Sequence, residues 1–304
     1  MPIPEVSKIW MNGELVDWKD AKVHILTHAL HYGSGVFEGI RAYDTKKGTH
    51  VYRLTEHIMR LMRSAKIYMM DVPYSIEELV QATKEVIKAN DLESCYIRPI
   101  IYRGYGEMGL FPLQAPVDVA IAVWPWGTYL GDDGIKHGIR AKISSFRRFG
   151  PNSMPPAAKA TGQYINSSLA KVEAVKAGYE EAILLDDHGN LSEGSGENLF
   201  VVRNGVVATP STSCDVLEGI TADTVFTICR DEGIPLQQKV MVRSDLYVAD
   251  EAFLTGTAAE IVPLREVDDR VIGEPGPITR KIQDIFYGII KGENEKYGDY
   301  LEWV

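Results

Sequence analysis

Cysteine is scarce in this 304-residue chain, with three in all, Cys95, Cys214 and Cys229. The odd count, without C-x-x-C or other metal spacing, excludes a disulfide framework and a cysteine-zinc site. A basic excess is also lacking: 32 Lys and Arg stand against 42 Asp and Glu, a formal charge of −10. A nucleic-acid binder carries the opposite balance. No run approaches the ~18 consecutive apolar residues of a membrane span. The apolar part of the opening MPIPEVSKIW is too short for a secretory leader. The phosphate loop G-x-x-x-x-G-K-[ST] and the G-x-S-x-G elbow are missing, which removes P-loop and serine-hydrolase readings. The seven histidines show no ligand spacing, and His24, His28 and His31 fall on a stretch read as irregular, so no metal is expected. With 45% apolar and 24% charged residues, the composition is that of a globular, reduced, cytoplasmic protein.

The length suits two domains of roughly 150 residues, each able to bury its own core. Ile58, Leu61, Met62, Ala65, Tyr68 and Met69 recur at helical spacing and predict a helix over 55–71. A second is expected over 75–90, where Ser75 and Glu78 read as a capping box. Strands follow at 95–102 and 117–124, then a turn-rich segment, 125–134, expected to link a domain at 1–124 to one at 135–304. Beyond it, strands are predicted at 139–146, 181–186, 198–203 and 206–209, the last two joined by the hairpin signal Asn204-Gly205. Helices are predicted at 165–177, closed by Gly178, at 222–232 and at 277–291. Strands and helices mix without strict βαβ alternation, which points to an α+β fold.

Lys159 is the only charged residue between Arg148 and Lys171, and its neighbours are small. A lysine partly removed from water has a lowered pKa and can act as an amine nucleophile or base, although a solvated loop lysine fits the window too. Glu193 and Glu197 flank Gly194-Ser195-Gly196, where a close-lying backbone and a carboxylate can meet a cationic ring, or merely turn a hairpin. Gly219-Ile220-Thr221 opens a helix with Thr221 as its N-cap, a place for phosphate or only for the cap. Thr255–Glu260 is a small-residue turn after a strand, able to offer N–H groups to an anion or to start a helix. Alternation puts Tyr96, Arg98, Ile100 and Tyr102 on one strand face, and Phe37, Gly39, Arg41 and Tyr43 on another. An arginine in an apolar strand needs a partner, either a ligand carboxylate or an internal Asp or Glu.

In order along the chain, His28-Ala-Leu-His-Tyr-Gly33, Val36-Phe-Glu-Gly-Ile-Arg41, Tyr96-Ile-Arg98-Pro99, the Lys159 segment, Glu193-Gly-Ser-Gly-Glu-Asn-Leu-Phe200 and Gly219-Ile-Thr221 resemble the branched-chain amino acid aminotransferases, class IV pyridoxal phosphate enzymes of fold type IV. The likeness runs from Ile9-Trp-Met-Asn-Gly13 to the last helix. It implies a smaller N-terminal α/β domain and a larger C-terminal domain with a barrel-like mixed sheet. It also implies transfer of the amino group of leucine, isoleucine or valine to 2-oxoglutarate, giving glutamate by a ping-pong route through Lys159. That reaction ends branched-chain amino acid synthesis or begins their breakdown.

By the same resemblance, Lys159 carries the cofactor, Tyr164 bonds its phenolic oxygen and Glu193 its pyridine nitrogen. Arg60, Gly219, Ile220, Thr221 and Thr257 take the phosphate, and Leu217 packs on the ring. Phe37, Gly39, Arg41, Tyr96, Arg98, Tyr129, Thr257 and Ala258 line the substrate pocket, with Tyr32, Met108 and Leu110 at a rim that relatives share with a partner subunit. Thr161 stands where a smaller residue is expected. A homodimer is the implied minimal unit and a trimer of dimers the larger form, with no nucleic-acid or membrane partner. D-amino acid or (R)-amine transamination and aminodeoxychorismate lysis are alternatives on the same scaffold. A non-catalytic amino acid binding module is the alternative of another class, and it would not need the lysine.

Overall fold

A computed structural model of the chain describes residues 3–127 and 131–304. It forms two units: Met1–Gly127 with Ala158–Gln163 and Ile289–Val304, and Thr128–Ala157 with Tyr164–Gly288. No helix among the described residues is long and apolar enough to cross a membrane. The pocket residue expected at Tyr129 lies outside the described residues.

The first unit is built on an antiparallel sheet of eight strands. Their order is Leu301–Trp303, Gly48–Tyr52, Ile40–Thr45, Cys95–Arg103, Val117–Trp124, Lys8–Met11 and Glu14–Asp17, with Gly35–Phe37 also paired to Cys95–Arg103. The pairs Phe37↔Ile100 and Ile40↔Ile97 keep one register across Glu38-Gly39, so the alternation read from sequence persists through the break. Ile97 and Ile101 enter a core shared with Ile58, Leu61 and Ala65 of helix Leu54–Ile67 and Leu79 and Val86 of helix Ile76–Ala89. The capping box is formed: Glu78 N–H donates to Ser75 Oγ at 3.2 Å, and Ser75 N–H to the Glu78 carboxylate at 2.7 Å.

The second unit contains a closed ring of six strands. Ile139–Arg147 runs parallel to Glu181–Leu185, which pairs antiparallel with Leu191–Gly194. The ring continues through Asn198–Arg203, Glu251–Gly256 and Glu260–Val267 and closes on Ile139–Arg147. Val206–Pro210 and Leu236–Lys239 extend the sheet outward. Leu199 and Val201 enter one core, while Phe200, on the alternate face, stacks on Phe253 at 4.9 Å and meets Phe226 of helix Ile220–Asp231 edge-on. Asn204 and Gly205 take φ of 51° and 76°, the left-handed pair that a tight hairpin requires.

Several boundaries differ from the sequence reading. The helix expected over 55–71 stops at Ile67, because Met69 turns to φ 53°. The segment read as linker starts a helix, Gly131–His137. Gly219, not Thr221, is the N-cap of helix Ile220–Asp231, and the turn at Thr257 joins two strands rather than starting a helix. Segments 158–163 and 289–304, expected in the second domain, belong to the first unit. The reason is pairing: Leu301–Trp303 adds to the edge strand Gly48–Tyr52, and Val36 bridges Ala160.

Helix Leu54–Ile67 starts at Arg53 without a side-chain cap of its own, and Glu302 fills that role. Its carboxylate accepts from Thr55 N–H at 2.6 Å and from Thr55 Oγ at 2.8 Å. Replacement Glu302→Ala is expected to cost about 1 kcal/mol, the usual worth of a helix cap. A urea titration with an unchanged midpoint would refute that assignment.

Candidate active site

Lys159 is positioned by its backbone. Its N–H donates to Ser64 Oγ at 3.1 Å, its carbonyl accepts from Phe37 N–H at 3.0 Å, and Ala158 and Ala160 on either side are buried. Small neighbours let this stretch lie flat against the strand Gly35–Phe37. The Lys159 ammonium sits 5.3 Å from the centre of the Phe37 ring. The Arg98 guanidinium lies 4.8 Å from the same ring, 5.2 Å from Tyr96 and 5.9 Å from Trp124. Among the described residues its partner is therefore a set of aromatic faces, not the Asp or Glu weighed from sequence. Arg98 Nη2 also donates to Tyr96 Oη at 3.3 Å, while its buried Nε finds no hydrogen-bond partner among the described residues.

Gly39 and Arg41 belong to the same face. A Cβ on Gly39 would lie 2.0 Å from Tyr96 Oη, so any side chain there would displace the tyrosine. Arg41 pairs across the sheet with Tyr96 and lies 5.2 Å from the Tyr43 ring. Tyr32, Met108 and Leu110 are exposed. Tyr32 packs on His28 at 4.6 Å, and His28 Nε2 meets the Gly109 carbonyl at 2.8 Å, which ties the tyrosine to the loop carrying Met108 and Leu110. No role was assigned to His28 from sequence.

Arg60, on helix Leu54–Ile67, makes a two-point pair with Glu38, Nε to Oε1 at 2.6 Å and Nη2 to Oε2 at 2.8 Å. His57 Nδ1 is 2.8 Å from Glu38 Oε2. Burial opposes ionisation of Glu38, yet Arg60 and His57 together hold its carboxyl well below the usual range. Burial also depresses His57, beyond what its bond to Glu38 restores, with Arg60 and Lys159 adding to the fall. His57 is thus neutral at pH 7 with the proton on Nδ1, since a carboxylate can only accept.

In the second unit, Glu193 lies on strand Leu191–Gly194. Arg148 Nη2 meets its Oε1 at 2.7 Å, and Leu217 N–H donates to Oε2 at 2.9 Å. Asn198 Nδ2 donates to the Leu217 carbonyl at 2.8 Å, and a Cβ on Gly219 would strike Asn198 Oδ1 at 1.9 Å. Asn198 thereby gathers Glu193, Leu217 and Gly219 ahead of the helix that Ile220 and Thr221 begin. Thr257 and Ala258 occupy the turn after Glu251–Gly256, whose Thr255 pairs with Asn198. Tyr164 opens helix Tyr164–Lys176. Arg148, Asn198, Glu38 and His57 are the supporting residues that sequence reasoning missed; 45 residues separate Arg148 from Glu193, so no local spacing could mark the pair.

Glu197 is buried near Glu193, and its carboxyl is pushed up to about 8, first by burial and then by the Glu181 carboxylate. The folded chain therefore holds a proton between the ordinary value, 4.5, and about 8 that the unfolded chain has released. Stability carried by Glu197 must fall as pH rises through that window. Glu197→Gln, which cannot ionise, is expected to flatten the decline of the urea midpoint with pH. An unaltered decline would place the proton elsewhere.

The family model for amino-transferase class IV matches residues 35–267. The branched-chain-amino-acid aminotransferase of Escherichia coli K12 is 48% identical over 307 residues, covering 100% of this chain and 99% of that protein. The crystal structure of the Escherichia coli branched-chain amino acid aminotransferase aligns with a TM-score of 0.96 at 48% identity, over 98% of this chain and 99% of that one. The T.th. branched-chain amino acid aminotransferase complexed with N-(5'-phosphopyridoxyl)-L-glutamate aligns with a TM-score of 0.94 at 46% identity, over 98% of each chain.

Proposed function

The chain belongs to the class IV aminotransferases, and on that premise we propose that it reversibly transfers the amino group of L-leucine, L-isoleucine or L-valine to 2-oxoglutarate. It is a pyridoxal phosphate enzyme that transaminates branched-chain amino acids. Amino acid and oxo acid take turns in one pocket, with glutamate as the second product. The reaction stands at the end of branched-chain amino acid synthesis or the start of their breakdown. The observation that carries this reading is the Phe37 ring, which holds the Lys159 amine and the Arg98 guanidinium within 5.3 and 4.8 Å of its centre. An amine that can react and a cation that can take a carboxylate thus share one apolar platform.

The residues present suit the cofactor. A pyridinium nitrogen calls for a carboxylate beside it, and Arg148 Nη2 and the Leu217 N–H fix the Glu193 carboxylate in place. Arg60, Gly219, Ile220, Thr221 and Thr257 are assigned to the phosphate, Tyr164 to the phenolic oxygen and Leu217 to the ring face. When bound, pyridoxal phosphate supplies the sink for the electrons left at the substrate Cα. Lys159 Nζ would hold the cofactor, and as a free amine it would take the substrate Cα proton and return it as an acid. Tyr96 Oη is assigned to the α-carboxylate. Phe37, Tyr96 and Trp124 receive a branched side chain, and Arg98 receives the side-chain carboxylate of glutamate or 2-oxoglutarate.

Cys95, Cys214 and Cys229 are free and buried, in keeping with a cytoplasmic setting. A homodimer is the proposed minimal assembly, with a trimer of dimers as the larger one. Ile25 at 71%, Phe111 at 68% and Leu110 at 90% exposure are apolar side chains that a second subunit would cover.

Borohydride treatment of the holoenzyme should add the cofactor's mass to the peptide containing Lys159. Lys159→Ala should fold normally and turn over at least ~10²–10⁴-fold more slowly, the range expected for loss of a positioned acid–base group alone. Near-normal turnover without an added amine would overturn the assignment. Arg98→Ala should slow the half-reactions with glutamate and 2-oxoglutarate at least ~10-fold more than that with leucine, since one charged hydrogen bond is worth about 1.5–3 kcal/mol. Stopped-flow measurement of each half-reaction decides this. Equal losses would make Arg98 a structural residue or the ligand of the shared α-carboxylate.

A further inference from the structure

Glu38 stands between two residues of the proposed pocket, Phe37 and Gly39, but its side chain is sealed from solvent at 0% exposure. It therefore cannot serve a ligand directly. Its two oxygens are spent on Arg60 Nε and Nη2, on His57 Nδ1 and, at 3.3 Å, on the Gly39 N–H. Arg60, by contrast, keeps 11% of its side chain open. A guanidinium is planar, so a two-point pair through Nε and Nη2 fixes the plane and turns the opposite edge away from the carboxylate. His57, buried and uncharged, holds the carboxylate from the other side without adding charge.

One strip of helix Leu54–Ile67 carries the whole arrangement. His57, Arg60 and Ser64 recur at spacings of three and four, and Ser64 holds the Lys159 backbone. An arginine in this position, with Lys159 close enough to influence His57, needs a counter-charge whenever no anion is bound.

We propose that Glu38, braced by His57, is the resident counter-ion of Arg60: it aims the guanidinium and compensates its charge whenever the phosphate of the cofactor is absent. The inference rests on the assignment of Arg60 to that phosphate. Glu38 and the phosphate then share one cation. The carboxylate keeps the site assembled in the cofactor-free chain, and it also moderates phosphate affinity, because Arg60 arrives already neutralised. As a positioning residue, Glu38 acts only through Arg60.

Glu38→Gln is the informative variant: it removes the charge and keeps one oxygen for Arg60, while its N–H2 can donate to His57 Nδ1 in the other imidazole tautomer. The full chain freed of cofactor should melt lower than wild type, and inorganic phosphate should recover more of the melting temperature in the variant than in wild type. Pyridoxamine phosphate should bind at least fivefold tighter to the variant, while pyridoxamine, which lacks the phosphate, should bind equally to both. Unchanged or weaker pyridoxamine phosphate binding would overturn the proposal, as would a melting loss that phosphate does not recover.

Two further variants separate the possible failures. Arg60→Gln should cut the preference for pyridoxamine phosphate over pyridoxamine at least tenfold; if the preference is unchanged, the assignment of Arg60 to the phosphate is what fails. The double variant Glu38→Gln/Arg60→Gln removes both charges and should regain most of the melting temperature lost by Glu38→Gln. If the double variant stays as unstable as Glu38→Gln alone, Glu38 is a packing residue and not a counter-ion.

Discussion

A charge withdrawn from water needs an opposite charge or a close set of dipoles, and meeting that need shapes both units of this protein. In the first, Glu38 is entirely buried and is answered by Arg60 and His57, which forces helix Leu54–Ile67 to present that strip to the strand Gly35–Phe37. In the second, Glu193 is answered by Arg148 and the Leu217 N–H, while Lys171 answers Glu181. Breaking one such pair leaves a buried ion alone, at a cost of about 3–5 kcal/mol, more than a typical surface contact contributes. The reactive groups are fixed largely by these pairs and the sheet registers around them.

Lys159 shows the other way of placing a cationic group. Its position is set by backbone bonds, Lys159 N–H to Ser64 Oγ and Phe37 N–H to Lys159 O. A backbone held in this way keeps its place when the amine takes the covalent role proposed for it. The flanking alanines make this possible: Ala158 and Ala160 are buried, and larger side chains would lift the segment from the strand.

What was legible in the sequence follows from range. Periodicity and caps act within a few residues, and so the helix opened by the Ser75–Glu78 box, the strand Cys95–Arg103 and the hairpin at Asn204-Gly205 could be read directly. The face shared by Phe37, Gly39 and Arg41 was also readable, because the register holds through the break. Contacts between distant residues left no such mark. Leu301–Trp303 gives no sign of pairing with Gly48–Tyr52, and so the end of the chain was placed in the wrong unit. Arg60 is one of three arginines around a helix, and only its two-point bond to Glu38 distinguishes it; the sequence pointed to it through the family likeness alone.

Arg98 is where these constraints meet the proposed chemistry. A pocket that accepts leucine and glutamate in turn must offer a cation to one and an apolar wall to the other. A carboxylate held permanently on Arg98 would satisfy the arginine but block the anionic substrate. Leaving it bare would place an unpaired charge beside a leucine side chain. Phe37, Tyr96 and Trp124 provide a third arrangement: their π faces stabilise the guanidinium, by as much as about 2 kcal/mol when water is excluded, and among the described residues only Nη2 of its hydrogen-bond donors is engaged, by Tyr96 Oη at 3.3 Å. The same rings are the apolar surface on which a branched side chain rests. Arg98 Nε, unpartnered among the described residues, is the cost of keeping that cation available, and a carboxylate can relieve it. In the proposed reaction, one aromatic cluster thus lets a single pocket alternate between an apolar and an anionic guest without rearranging its buried charges.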